Sequence, residues 1–138
     1  MKAPLYNDIL AICQDIANAS ANDNDELRHA ACKKLQILCA TNQNSPKDHP
    51  LQWEALADFT EDGDLALDIY EIAVTTAEKL NLPSFVASAY LSMAQRYVEF
   101  EENAQALSFA LKASAAAETI ENEELKAEIS ELLSELES

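Results

Sequence analysis

Apolar residues along this chain recur at intervals of three and four, the spacing that holds side chains on one face of an α-helix. Leu5, Ile9, Ile12, Cys13 and Ile16 form the first stripe and predict a helix to about Ala19, with Pro4 suited to its first turn. Ser20 to Asn24 is polar and breaks the pattern, and Asp23 or Asn24 is placed to cap a second helix. Asp25 and Glu26 then fall in a first turn, where the helix dipole favours acids. Leu27, Ala31, Leu35, Leu38 and Cys39 carry the second stripe to about Thr41, with Arg28, Lys33 and Lys34 off it. Asn42 to Pro50 reads NQNSPKDHP, and its two prolines predict a loop. A short third helix is expected over Leu51 to Phe59, with Trp53, Leu56, Ala57 and Phe59 apolar. The turn after it contains Gly63, the only glycine of the chain, for which a left-handed backbone is expected.

Three longer stripes come next. Ala66, Ile69, Tyr70, Ala73, Ala77 and Leu80 predict a helix over Leu65 to Leu80. Pro83 opens a fifth helix to about Phe100, marked by Val86, Ala89, Tyr90, Met93, Ala94 and Tyr97. Ala106, Phe109, Ala110, Ala113 and Ala117 mark a sixth, over Ala104 to Thr119. A seventh, Asn122 to Leu136, has a leucine-rich stripe (Leu125, Ile129, Leu132, Leu133, Leu136) among glutamates.

Composition agrees with these stripes. A chain of 138 residues, 49% hydrophobic, is long and apolar enough for one domain with a core. One glycine and four prolines are too few for the many turns of an all-β fold, so the fold class is all-α. The expected organisation is a single domain, 1–138: an N-terminal helix pair (1–41), a loop (42–50), two helix pairs (51–121) and a capping helix (122–138). No apolar run reaches the roughly 18 residues of a membrane span. Asp8, Gln14 and Asp15 interrupt the apolar stretch after Lys2, so an amphipathic first helix is expected rather than a secretory signal. Cys32 and Cys39 sit seven residues apart, about two helical turns and beyond disulfide reach. Reduced thiols and a cytoplasmic location are the expectation.

The stripes also repeat. Ala66, Leu67, Ala73, Ala77 and Glu78 match Ala106, Leu107, Ala113, Ala117 and Glu118 at a spacing of 40, and Ala87 matches Ala127. Trp53, Leu56 and Ala57 match Tyr90, Met93 and Ala94 at 37, with the difference taken up in the loops. Self-similarity at this period marks a helical repeat. Tyr90, Met93, Ala94, Tyr97, Ala106 and Ala113 resemble the tetratricopeptide repeat pattern of large, small and aromatic positions over a helix pair, in its variant of about 40 residues. Ala110 stands where that pattern prefers an aromatic, with Phe109 one position off. Trp53, Leu56, Ala57, Ala66, Tyr70 and Ala73 resemble a second, looser copy whose loop is about three residues short and in which Thr60 replaces an aromatic. The resemblance covers 51–138. It implies a right-handed superhelical stack of antiparallel pairs that binds partners on the concave face lined by the first helix of each pair.

Charge adds a direction to that expectation. The net charge is −16, and the acids concentrate toward the C-terminus. Such a surface repels nucleic acid and anionic membranes and attracts basic protein surfaces. Catalytic chemistry is not evident. His29 and Cys32 share a helical face but lack two further ligands for zinc. Glu61-Asp62-Gly63-Asp64 lacks the alternating ligands and terminal glutamate of a calcium loop. With a single glycine there is no phosphate-binding loop. No cofactor or metal is expected.

The functional expectation is therefore a non-enzymatic protein–protein interaction module, an adaptor or scaffold for a basic protein or peptide. The candidate contact residues are the polar positions of the third and fifth helices: Gln52, Ser88, Ser92, Gln95 and Arg96, with Glu54, Asp58 and Glu99 to recruit lysines or arginines. Alternatives are an immunity protein or antitoxin that neutralises a basic toxin, a small secretion-type chaperone, and a homodimer formed through Trp53 or the first two helices.

Overall fold

A computed structural model describes residues 3–138; Met1 and Lys2, and with them the lysine that precedes the first stripe, lie outside the described residues. Seven α-helices succeed one another: α1 (Tyr6–Ala21), α2 (Asp25–Asn42), α3 (Pro50–Asp58), α4 (Gly63–Lys79), α5 (Pro83–Glu99), α6 (Asn103–Ala116) and α7 (Glu123–Glu137). A 3-10 turn, Ala117–Thr119, ends α6, and there is no strand among the described residues. The fold is all-α, as the stripes predict.

Local chemistry sets the helix ends. Asn24, Asp62 and Asn122 cap α2, α4 and α7, each side-chain oxygen accepting from the backbone N–H three residues on (3.1, 3.2 and 3.1 Å). His49 caps α3 through Nδ1, which accepts from Leu51 N–H at 3.1 Å. Prolines begin α3 and α5, where a missing N–H costs nothing.

Three of the helices end in the same way. After α1, α4 and α5 a left-handed residue (Asp23, Asn81, Glu101) reverses the chain. The residue after it donates back across the turn: Asn24 N–H to Ala19 C=O, Leu82 to Ala77 and Glu102 to Tyr97, at 2.8, 2.8 and 2.9 Å. This is the Schellman arrangement, and it satisfies carbonyls that the helix end would leave unpaired. None of the three is glycine.

Gly63 corrects a sequence expectation. No glycine has a positive φ, and Gly63 is the first residue of α4. Its requirement is space: a Cβ there would come within 2.2 Å of Phe100 Cζ, so the absent side chain is what lets the ring lie against the start of α4.

Consecutive helices pack side by side, and tight connections make neighbours antiparallel. In addition α1 touches α3 and α3 touches α5, so α1, α3 and α5 form one row, while α7 packs on α6. The main core draws Ile16 from α1, Leu35 and Cys39 from α2, Trp53 and Ala57 from α3, Tyr70 and Ala73 from α4, and Ala89 and Met93 from α5. The N-terminal pair therefore stacks on the rest. A second, smaller core joins Ala87 and Leu91 of α5 to Ala113, Ala117, Ile120 and Ile129. The repeat positions Ala66, Ala73, Ala77, Ala106 and Ala113 are all fully buried, which is what close helix approach needs. The 40-residue register fails beyond α6, because Ala127 is exposed where Ala87 is buried.

The loop expected over 42–50 is 43–49, because Asn42 closes α2 and Pro50 opens α3, and it is tied down. Asp48 Oδ2 accepts from Asn44 N–H at 2.9 Å, and Oδ1 accepts from the Trp53 indole N–H at 2.8 Å. Ser45 Oγ donates to Asn42 C=O, and Pro50 is fully buried. Trp53 itself is buried inside the protomer and offers no surface to a second copy.

Candidate functional site

Helices α3 and α5 of that row carry the candidate contact residues. On α5, Ser84, Ser88, Ser92 and Gln95 fall at helical spacing and face a groove of about 440 Å³. Phe85 and Leu91 give it an apolar lining, and Asn122, Glu124, Leu125 and Glu128 close it from the α7 side. Leu125 also packs into the smaller core, so α7 is held with Glu124 and Glu128 on the groove side. The groove thus has hydroxyls and an amide on one wall and carboxylates on the other. Ser88, Ser92 and Gln95 are legible in the sequence as contact positions; Ser84, Asn122, Glu124 and Glu128 are not.

Beneath the α5 wall lies a cluster of polar groups joining α3, α4 and α5. Ser88 donates its hydroxyl hydrogen to Glu54. Burial pushes the Glu54 carboxyl up to about 7; the Ser88 hydrogen bond opposes this and the Asp58 charge adds to it. One turn on, Tyr70 donates to Asp58. Asp58 is also raised by burial of its carboxyl, tempered by the Tyr70 hydrogen bond and by the Arg96 charge. Tyr70 is held far above its ordinary range by burial and by Asp58. Both carboxyls therefore keep protons more tightly than surface acids do.

Arg96 does something other than the sequence suggests. Its Nη2 donates to the carbonyls of Ala57, Asp58 and Thr60 at 3.1, 3.4 and 3.0 Å. These carbonyls lie at and just beyond the end of α3, where Ala57 C=O also accepts from Thr60 N–H, so the guanidinium caps that helix end from α5, with its charge at the negative end of the dipole. It is committed within the protein rather than presented to a partner. Gln52 is likewise inaccessible: it is fully buried, its backbone carbonyl accepts from Cys39 Sγ at 3.3 Å, and its Oε1 has no partner. Burial is the main reason the Cys39 thiol is pushed up to about 12. Gln52 reads as a polar surface position because the fold-back of the 42–50 loop over α3 has no signature at Gln52 itself. Glu99 and Gln95 are exposed. Of the eight candidates, the structure therefore brings Ser88, Ser92 and Gln95 to one groove and sets Glu54 directly behind Ser88.

Three more ionisable side chains singled out in the sequence, Arg28, Glu61 and Asp62, have structural roles. Asp62 caps α4, and Glu61 pairs with Arg28 at 2.8 Å. His29 and Cys32 line a different groove together with Lys33 and the Arg28–Glu61 pair. No group of three histidine, cysteine or carboxylate side chains is arranged to hold a metal among the described residues. All three cysteines are free thiols. Among the described residues no helix is long and apolar enough to cross a membrane.

Comparison with protein-family models, with curated proteins and with solved structures finds no match to this chain.

Proposed function

We propose that the protein is a non-enzymatic interaction module, a tetratricopeptide-like adaptor or scaffold that holds a segment of a basic protein partner in the α5–α7 groove. The observation that carries this reading is the pairing of Ser84, Ser88, Ser92 and Gln95 with Glu124 and Glu128 across one groove. Hydroxyls and an amide at helical spacing offer hydrogen bonds to a peptide backbone or polar side chains. Phe85 and Leu91 offer apolar contact, and the two glutamates select lysine or arginine. The surrounding charge of −16 steers such a partner toward the surface before contact.

The test is recovery of the partner from the native cell with wild-type protein and with Ser92→Arg and Glu128→Arg variants, at low and at high salt. The reading expects one basic protein to be retained by the wild type, to be lost with either variant, and to weaken as salt screens the charges. A partner that both variants retain at full strength sinks the groove reading. A partner held equally at high salt removes charge steering from it.

A further inference from the structure

A second surface lies on the other side of α5, away from the serine row. Tyr90 and Tyr97 are seven residues apart on α5, and Phe109 of α6 lies between them. Tyr97 and Phe109 stack at 5.2 Å with their planes 17° apart, and Tyr90 meets Phe109 at 6.0 Å and 43°. Phe100 continues the row edge-on to Tyr97 at 6.2 Å and is 40% exposed. None of the four rings is fully buried. Tyr90, Tyr97 and Phe109 pack on the main core from one side and leave the rest of each ring open, so the row presents a partly exposed aromatic surface.

Two further observations say what the row accepts. The first is its rim. Glu71 and Glu78 of α4 lie close enough to Tyr90 for their charges, after burial, to hold its hydroxyl proton more tightly. Glu102, Glu71 and Asp64 act on Tyr97 in the same way. The second is an occupant already in place. Lys112 holds its ammonium 4.5 Å from the centre of Phe109 and 5.9 Å from that of Tyr90. It makes no ion pair among the described residues, where the one pair is Arg28–Glu61. A cation thus already lies over the rings, and four carboxylates, Glu71, Glu78, Glu102 and Asp64, act on the two tyrosines beside that one lysine.

We propose that the Tyr90–Phe109–Tyr97 row is a docking site for an arginine side chain of a basic partner, and that Lys112 occupies it until the partner arrives. Arginine fits better than lysine. Its planar guanidinium stacks on a ring face while its remaining N–H groups fork onto a carboxylate, and this surface offers rings and carboxylates side by side. A lysine satisfies only one of the two at a time. The site lies apart from the α5–α7 groove and does not depend on it.

The experiment is an NMR titration of the full chain with a short acetylated oligoarginine amide, read at the aromatic signals of Tyr90, Tyr97 and Phe109 and at the amides of Ser88 and Ser92. The expected result is saturable shifts of the ring signals at low-millimolar peptide or below, with Ser88 and Ser92 little moved. Lys112→Ala removes the internal competitor and should tighten binding roughly three- to ten-fold. Glu71→Gln with Glu78→Gln, both exposed and outside the core, should weaken it by a similar factor. Oligolysine should bind more weakly than oligoarginine. Shifts confined to Ser88 and Ser92 would overturn the proposal while supporting the groove. Ring shifts that neither Lys112→Ala nor the paired glutamine variant alters would overturn it too, as would no saturation with either peptide.

Discussion

Glu54 makes stability depend on pH in a direction opposite to most carboxylates. Its carboxyl is packed under α5 against Ser88, and its proton affinity is raised from an ordinary 4.5 to about 7. Below pH 4.5 the carboxyl is protonated in both the folded and the unfolded chain, and the site adds nothing to the pH dependence. Between pH 4.5 and 7 the unfolded chain releases the proton and the folded protein keeps it, so folding grows less favourable as pH rises. Above 7 both states are ionised and the loss is complete. At 1.36 kcal/mol for each factor of ten in proton affinity, the full loss is about 3 kcal/mol. Glu54→Gln keeps the shape and an acceptor for Ser88 but has no proton to lose. Urea unfolding of both proteins from about pH 4 to about pH 8 isolates the effect, because acids remote from Glu54 largely cancel in the difference; Asp58, whose charge acts on Glu54, titrates as part of the same effect. The variant should match the wild type within about 1 kcal/mol at the acid end and exceed it by roughly 2–3 kcal/mol at the alkaline end. A difference that is flat with pH, or that shrinks as pH rises, would falsify the placement of Glu54 in a desolvated site.

Arg96→Ala leaves three carbonyls at the end of α3 without their charged donor and should cost about 2–3 kcal/mol, lowering Tm by roughly 6–10 °C in calorimetry, with Arg96→Lys intermediate. Equal stability of Arg96→Ala and wild type would show that water replaces the guanidinium. Glu101→Gly relieves a left-handed conformation that glycine adopts freely and should stabilise by roughly 0.5–1 kcal/mol in chemical denaturation; a loss of stability would mean that the Glu101 side chain contributes more than its backbone costs. Asp48→Ala strips the acceptor from the Trp53 indole and the anchor from Asn44, so it should destabilise by about 1–3 kcal/mol and shift Trp53 emission, the only tryptophan signal in the chain. Unchanged emission would place the indole hydrogen bond outside the folded core's requirements.

Helix existence is legible because each stripe is long and keeps one period. The ends agree within about two residues because the caps are chemical: Asn24, Asp62, Asn122 and the prolines of α3 and α5 announce themselves. What the stripes conceal is how many sides of a helix are covered. α5 is buried by one core through Val86, Ala89 and Met93 and by another through Ala87 and Leu91, and a single stripe does not show this. Gln52 and Arg96 mislead for a related reason. A polar residue among apolar stripes reads as solvent-facing, yet the first is buried with Asp48 of the preceding loop beside it, and carbonyls at the end of α3, up to 39 residues earlier, engage the second. At Gly63 the sequence suggests backbone freedom, whereas the constraint comes from Phe100, which no local pattern reveals. The α7 glutamates read as a water-facing cap. That two of them line a groove comes from how α7 seats through Ile129 and Leu125, which is tertiary geometry and not periodicity.

The two cores meet on α5, and the smaller one holds α7 through Ile129 as its only fully buried anchor. Opening that core exposes few apolar side chains, whereas opening the larger one dismantles five helices. The chain should therefore lose its C-terminal part first, with amides of α7 exchanging with solvent through partial openings while those of α3 to α5 wait for global unfolding. The groove has one wall on each side of that divide. A segment lying in it would fasten the weaker unit to the stronger, and part of its binding energy would go into slowing α7's exchange. Occupancy would then be visible as a gain in cooperativity between the two units.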